Sequence, residues 1–186
     1  MTTLHIKNMV CDRCKKVIKD ELTNLGVEVH AIELGVIDID SKSVDLESIV
    51  NALEAHGFEL IENKEEILVE GVKVFLISMI DQLPIQRKNK LSTMISDELG
   101  RDYSSLSKVF SQREHITIEK YFLRLKLEKV KELIQDGSHS FSQIASILDY
   151  SSINHLSGQF KQETGLSMSE YKTMFQSDRK PLDKIV

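Results

Sequence analysis

Both cysteines of this 186-residue chain lie in one short segment, Asn-Met-Val-Cys-Asp-Arg-Cys, as Cys11 and Cys14. Thiolates at this spacing can bind a soft metal ion such as Cu(I), or Zn(II) or Hg(II) with further ligands, or they can close to a reversible disulfide. They could also pack at the start of a helix without a chemical role. Because cysteines so close together cannot cross-link distant parts of a fold, we expect the pair to serve chemistry.

The rest of the sequence lacks the residue sets that most enzymes use. It contains no Ser-His-Asp set, no glycine-rich phosphate loop and no paired-carboxylate site. It also has no apolar run near the roughly 18 to 20 residues that cross a bilayer, and no secretion signal at its start. We therefore expect a cytoplasmic protein that is not an enzyme and has no membrane partner.

The elements that would position the cysteines follow from the patterning of residues 1–62, where apolar residues recur at strand and helix spacing. The predicted elements are a strand over 3–7, a helix over 11–25, strands over 27–34 and 36–40, a helix between Asp45 and Gly57, and a strand over 58–61. This βαββαβ order is the ferredoxin-like α+β motif. The cysteines would then open the first helix, where the helix dipole lowers thiol pKa values.

Residues 63–176 show only helical patterns and predict an all-α domain. The predicted helices cover 67–83, 91–99, 104–112, 117–136, 142–148, 152–164 and 169–175. Residues 177–186 are assigned to a C-terminal tail.

An internal repeat divides the helical region into two similar units. A shift of 50 residues pairs Leu106 with Leu156, Phe110 with Phe160 and Tyr121 with Tyr171, among other matches. Each unit, over about 91–112 and about 141–164, reads as a helix-turn-helix joined to the other by the long helix. That linker helix would be roughly 30 Å long, near the ~34 Å between successive major grooves. A duplicated helical bundle would show the same repeat.

Charge is distributed unevenly along the chain. Residues 1–62 hold six basic and twelve acidic residues, a net of −6, whereas residues 63–186 hold eighteen and seventeen, a net of +1. Within the second region, residues 101–131 hold eight basic and four acidic residues. One interpretation is that this segment would bind a polyanion. The alternative is that Lys126, Lys129 and Lys131 are only the solvated face of a helix.

The segment 91–172 resembles the DNA-binding domain of AraC-type transcriptional activators, notably in R-D-Y-S-S-L-S-K-V-F and S-F-S-Q-I-A-S-I-L-D-Y-S-S-I-N-H-L-S-G-Q-F-K. The resemblance implies a transcriptional regulator that binds double-stranded DNA, with RNA polymerase as a further partner. It implies base-facing positions at Ser104, Ser107 and Lys108 in the first recognition helix and at Ile153, Asn154 and Gly158 in the second. It also implies that Arg124 and Lys161 contact the DNA backbone or pair within the domain.

Three positions depart from the AraC pattern. Gly158 stands where the family commonly has arginine, Asp149 where it has a turn glycine, and Met168 where it has proline. Glycine has no side chain with which to read a base. The departures imply that the first unit and Asn154 read sequence, while the second unit mainly contacts the DNA backbone.

The first 62 residues resemble the heavy-metal-associated domain of copper chaperones and metal-transporting ATPases, in I-K-N-M-V-C-D-R-C and L-E-A-H-G-F-E. This resemblance implies Cu(I) or Zn(II) as the ligand of Cys11 and Cys14. The loop departs from the family at Asn8, Val10 and the Asp12-Arg13 pair, so a disulfide and a packing role stay open.

Two functions compete on this sequence. The first is a DNA-binding transcriptional regulator that responds to a soft metal ion or to thiol redox state through the cysteine pair. The second is a metal-handling or adaptor protein whose helical half binds a protein partner instead of DNA. We expect a monomer or a weak homodimer, because two helix-turn-helix units in one chain need no partner copy.

Overall fold

The computed structural model describes residues 1–40, 45–86, 89–174 and 185. Within these residues no helix is both long enough and apolar enough to pass through a lipid bilayer. The N-terminal region forms a small antiparallel sheet with two helices, and the rest of the described chain is helical.

The N-terminal region has six elements in the predicted order. They are β1 (Thr2–Lys7), α1 (Asp12–Asn24), β2 (Glu28–Glu33), β3 (Val36–Asp40), α2 (Leu46–Glu54) and β4 (Glu59–Ile61). The strands lie in the order β2-β3-β1-β4, and every neighbouring pair is antiparallel. The central strand β1 places Leu4 opposite Ile37 and His5 opposite Ile61. A register shift interrupts the pairing of β2 with β3 between Val29 and Ala31.

The sheet and its two helices share one hydrophobic core. Leu4 and Ile6 alternate on β1 with partly exposed or exposed neighbours, so one face of the strand is buried. Ile18 and Leu22 lie one turn apart on α1 and are buried in the same cluster. This packing sets the direction of α1 and therefore the position of the cysteine loop at its start.

The helical region has seven helices in the described residues. They are α3 (Lys64–Asp81), α4 (Leu91–Leu99), α5 (Tyr103–Glu114), α6 (Ile118–Asp136), α7 (Phe141–Ile147), α8 (Ile153–Thr164) and α9 (Met168–Met174). Predicted and observed bounds agree within a few residues. Phe175, the predicted last residue of the final helix, and the tail 177–186 lie outside the described residues, except that Ile185 is buried.

The two regions touch where the cysteine loop meets α3. Only Glu62 and Asn63 separate β4 from α3, and the Asn63 side chain caps α3 by accepting from the backbone N–H groups of Glu65 and Glu66. Val10, which directly precedes Cys11, packs against the hydrophobic core of the helical region. The loop that carries the cysteines is therefore in contact with the helical region.

Candidate nucleic-acid interface and cysteine loop

The helix predicted as the first recognition helix, α5, is amphipathic. Leu106 and Phe110 point into the core, whereas Ser104 and Lys108 are exposed and Ser107 is half-buried. The predicted base-facing positions thus lie on the side of α5 that faces away from the core.

Asp102 caps the start of α5. Its carboxylate accepts hydrogen bonds from the Ser105 backbone N–H, at 3.2 Å, and from the Ser104 hydroxyl. The Ser104 and Ser105 donors hold the pKa of Asp102 below its usual range. Because the Ser104 hydroxyl is used in this cap, Lys108 is the more accessible of the predicted contacts on α5.

The second recognition helix, α8, repeats this arrangement with a different surface. Ser152 caps it by accepting from the His155 backbone N–H at 3.1 Å. Ile153 is 37% exposed, and Asn154, Gly158 and Lys161 are also exposed. A Cβ atom added at Gly158 would meet nothing within 4 Å among the described residues, so this part of the helix surface is open.

The two units are held by equivalent aromatic pairs. The rings of Phe110 and Tyr121 lie 5.5 Å apart, and those of Phe160 and Tyr171 lie 5.6 Å apart. Such tilted and edge-to-face contacts add to the stabilisation that comes from burying each ring. The 50-residue repeat in the sequence is therefore a repeat of packing.

One exposed side chain beside the predicted contacts was missed from the sequence. His155 follows Asn154 on α8, and its Nδ1 lies 3.1 Å from the Ser151 hydroxyl. Its ring also meets Tyr150 edge-on at 5.6 Å. The adjacency of this polar residue to Asn154 at a helix start was the available signal, because the first residues of a recognition helix contact bases.

Two of the four lysines of α6 are buried, so the basic character predicted for this helix is not a surface property at those positions. Lys126 is buried, with its Nζ 3.7 Å from the centroid of the Tyr150 ring, a cation–π contact. Lys131 is also buried and forms an ion pair of 2.9 Å with Glu128. Both expectations for these two lysines, a solvated face and a surface for a polyanion, are therefore wrong, since their long side chains run into the protein.

Other basic residues of the 101–131 segment are engaged in ion pairs. Arg113 on α5 contacts Glu65 at 2.8 Å and Glu66 at 3.2 Å, both at the start of α3. Lys120 on α6 pairs with Glu163 on α8. Arg124 is half-buried on α6. Apart from Arg113, which is exposed but held in these ion pairs, the exposed basic residues of the described helices α5 and α8 are Lys108 and Lys161.

The cysteines lie at the start of α1, as predicted. Cys11 occupies the N-cap position, Cys14 lies in the first turn, and both are half-buried free thiols. Their sulfur atoms are 3.1 Å apart, compared with about 2.05 Å in a disulfide. Burial and the hydrogen bond with Cys11 raise the pKa of Cys14, so the expected lowering by the helix dipole is wrong for this thiol.

The sulfur pair fits some metal ions better than others. No group of three or more His, Cys, Asp or Glu side chains within 1–40, 45–86, 89–174 and 185 could hold a metal ion. Two adjacent sulfurs suit a soft ion of low coordination number, such as Cu(I). A tetrahedral zinc site needs four ligands, so Zn(II) would require two more from solvent or another molecule.

Comparisons with known proteins agree with the fold of the helical region. Residues 95–174 match the family model described as a helix-turn-helix domain. The C-terminal domain of AraT, a response regulator from Geobacillus stearothermophilus, superposes with a TM-score of 0.52 at 17% identity, over 64% of this chain and 95% of that one. This likeness concerns the fold alone.

A curated relative matches part of the chain by sequence. The HTH-type transcriptional activator RhaR of Mannheimia succiniciproducens is 31% identical over 72 residues, which are 39% of this chain and 26% of that protein. The chain thus spans about a quarter of this relative's length. Helix-turn-helix regulators are a non-enzymatic class, as the sequence predicts for this chain.

Proposed function

We propose that this chain is a sequence-specific, DNA-binding transcriptional regulator of the AraC type. The observation that carries the proposal is the duplicated helix-turn-helix, whose two recognition helices expose polar faces while equivalent residues hold the core. In this role α5 and α8 enter two successive major grooves. The regulator works in the cytoplasm as a monomer or weak homodimer, with RNA polymerase as its further partner.

The spacing of the two units supports this mode of binding. The linker helix α6 has 19 residues and is therefore about 28 Å long. Successive major grooves on one side of B-DNA are ~34 Å apart. A rigid helix of this length can hold two recognition helices near that separation, so that one chain replaces the usual dimer.

The side chains suggest unequal roles for the two units. Lys108 on α5 suits the N7 and O6 acceptors of guanine, and Asn154 on α8 suits the N6 and N7 atoms of adenine. Gly158 offers no side chain, so Lys161 supplies the exposed positive charge of α8. We infer that α5 and Asn154 discriminate bases, while the rest of α8 mainly contacts the phosphate backbone, with Arg124 as a further backbone contact or an intradomain pair.

Selection from a pool of random duplexes tests the proposal. We expect enrichment of one sequence class, with affinity that falls as salt increases because phosphate contacts release counterions. On the enriched duplex, Lys108→Ala should weaken binding by roughly 10- to 100-fold, the loss expected for one good base contact. Lys19→Ala is the matched control, since it removes an exposed lysine from α1. Absence of enrichment even at low salt would count against DNA binding.

For the N-terminal region we propose a ferredoxin-like, heavy-metal-associated domain whose Cys11 and Cys14 respond to a soft metal ion or to thiol redox state. The proposal is supported by the 3.1 Å separation of the sulfurs and by the contact of the loop with the helical region. Cys11 and Cys14 would hold the ion, which would supply positive charge beside the two sulfurs. The role of the protein is to hold the two sulfurs at the start of α1.

Competitive Cu(I) and Zn(II) binding to the reduced protein tests this part. We expect uptake of about one Cu(I) per chain that depends on the cysteines, and weaker binding of Zn(II) because only two ligands are present. The Cys11→Ser, Cys14→Ser double variant is the control. Equal uptake by the variant would contradict a metal site, and the reversible disulfide would then be the remaining signal.

An adaptor function is the second candidate. It is favoured by the low net charge of residues 63–186, +1, and by the burial of Lys126 and Lys131. Both observations reduce the electrostatic attraction that non-specific DNA binding requires. In this case the exposed faces of α5 and α8 would bind a protein, and the duplex selection would give no enrichment.

A further inference from the structure

A cluster of charged side chains lies where the sheet, α3 and the first recognition helix meet. Glu70 on α3 is only 6% exposed. Lys73, one turn further along α3, pairs with Glu114 on α5 at 2.8 Å, and the two side chains are 12% and 14% exposed. Lys7 on β1 faces the same cluster and is paired with Glu59 on β4 at 2.9 Å. The charges of Glu70, Lys73 and Glu114 are poorly solvated and therefore depend strongly on their partners.

Glu70 connects this cluster to the cysteine loop. Its Oε1 accepts a hydrogen bond of 3.0 Å from the backbone N–H of Asn8. Asn8 adopts a left-handed conformation, with φ of +70°, and its side-chain amide donates to the Gly57 carbonyl at 3.0 Å. The donor to Glu70 is a main-chain group, so this bond depends on the position of the loop and not on the type of residue at position 8.

The same cluster reaches the DNA-facing helix. Glu114 is the last residue of α5, and Lys108 lies on the same helix. A single turn of α3, from Glu70 to Lys73, therefore connects the cysteine loop to the end of α5. Burial raises the pKa of Glu70, while the Asn8 N–H and the charges of Lys73 and Lys7 oppose that rise.

We propose that Glu70 is a positioning residue through which the state of the cysteine loop alters the attachment of α5. When the loop shifts, Glu70 loses the Asn8 N–H and becomes a buried carboxylate without a donor, which is unfavourable. Lys73 is the cation that can exchange partners, because it lies one turn from Glu70 on the same helix. Transfer of its ammonium group from Glu114 to Glu70 removes one ion pair between α3 and the end of α5, while the Arg113 contacts with Glu65 and Glu66 remain. This inference rests on the proposed roles of α5 and the cysteine pair.

The experiment perturbs the loop chemically, without relying on metal or DNA binding. Both thiols are alkylated with iodoacetamide, and the backbone amide chemical shifts of residues 111–115 are compared before and after by NMR. In the wild type we expect these shifts to change. In Glu70→Gln and in Lys73→Gln we expect the change to be lost, because neither variant has both charges of the exchanging pair.

A matched control separates this route from a general loosening of α3 on α5. Glu66→Gln removes an exposed contact with Arg113 on α5, at 3.2 Å, without touching the cysteine loop. We expect its response to alkylation to equal that of the wild type. The proposal is overturned if residues 111–115 do not respond in the wild type, or if they still respond in Glu70→Gln.

Measuring the DNA affinity of the same samples distinguishes failure of the proposed DNA binding from failure of the proposed coupling through Glu70. If the selected duplex binds, alkylation should change the affinity of the wild type and of Glu66→Gln but not that of Glu70→Gln. If no duplex is ever selected, the proposed regulator fails, while the NMR comparison still decides whether Glu70 couples the loop to α5.

Discussion

The two helix-turn-helix units bury equivalent residues and expose different ones. Phe110 and Phe160 are both completely buried, and each packs against a tyrosine of the following helix. On the exposed side, a shift of 50 residues places Lys108 against Gly158. The packing of the unit is therefore repeated, whereas the exposed surface differs between the two units.

The units also differ in what holds their recognition helices. The end of α5 is joined to α3 by the Arg113 contacts with Glu65 and Glu66 and by the pair of Lys73 with Glu114. On α8, the ion pair of Glu163 reaches Lys120 on α6 instead. Because Glu70 on α3 also accepts a hydrogen bond from Asn8, α3 joins the first unit to the N-terminal region.

The largest expected effect tests the equivalence of the cores. Phe110→Ala and Phe160→Ala should each lower the free energy of unfolding by about 3–5 kcal/mol, since each removes a fully buried ring and leaves a cavity. Urea denaturation of the two variants measures both values. Gln112→Ala and Gln162→Ala, at exposed positions of the same two helices, are matched controls. Equivalent packing would be contradicted if one phenylalanine variant lost about 3–5 kcal/mol of unfolding free energy and the other lost almost none.

The second-largest expected effect, on DNA affinity, tests the difference between the exposed surfaces of α5 and α8. Gly158→Arg should strengthen binding to the selected duplex by roughly tenfold and steepen its salt dependence by about one charge, because the guanidinium would enter open space on α8. Fluorescence anisotropy at several salt concentrations measures both quantities. Gly158→Ala should improve helix stability by up to ~1 kcal/mol without this gain in affinity. Equal affinities for the two variants would mean that this face of α8 does not approach DNA.

The smallest effect concerns how each recognition helix ends. Both C-cap residues are left-handed, but α5 ends at His115, with φ of +57°, and α8 at Gly165, with φ of +77°. We expect Gly165→Ala to lower the free energy of unfolding by about 1 kcal/mol, and His115→Gly to raise it by a few tenths, up to ~1 kcal/mol. Thermal denaturation measures both. A loss of stability in His115→Gly would show that the imidazole makes contacts worth more than the backbone strain.

Local patterns accounted for most of the elements and for part of the candidate site. The alternation in β1 and the helical spacing in α1 reflect neighbours in the chain, so they predicted the element order. Lys108 and Asn154 came from the resemblance to the AraC pattern, and both are exposed. His155 was missed because the base-facing positions were taken from the AraC resemblance, although its contacts with the Tyr150 ring and the Ser151 hydroxyl are local in the chain. The assignment of these residues to DNA contact stays a prediction.

The sequence by itself determined where strands and helices form, where the cysteines meet and that one packing unit occurs twice, because these follow from residue type and short-range spacing. Only the tertiary structure decided which ionisable side chains are buried and which partners they have. Lys126 and Lys131 are buried by contacts with other side chains, and Cys14 has a raised pKa because it is shielded from water. The contact of Glu70 with Asn8 joins residues 62 positions apart. Solvation and pairing of a charge depend on what folds against it, which no local pattern contains.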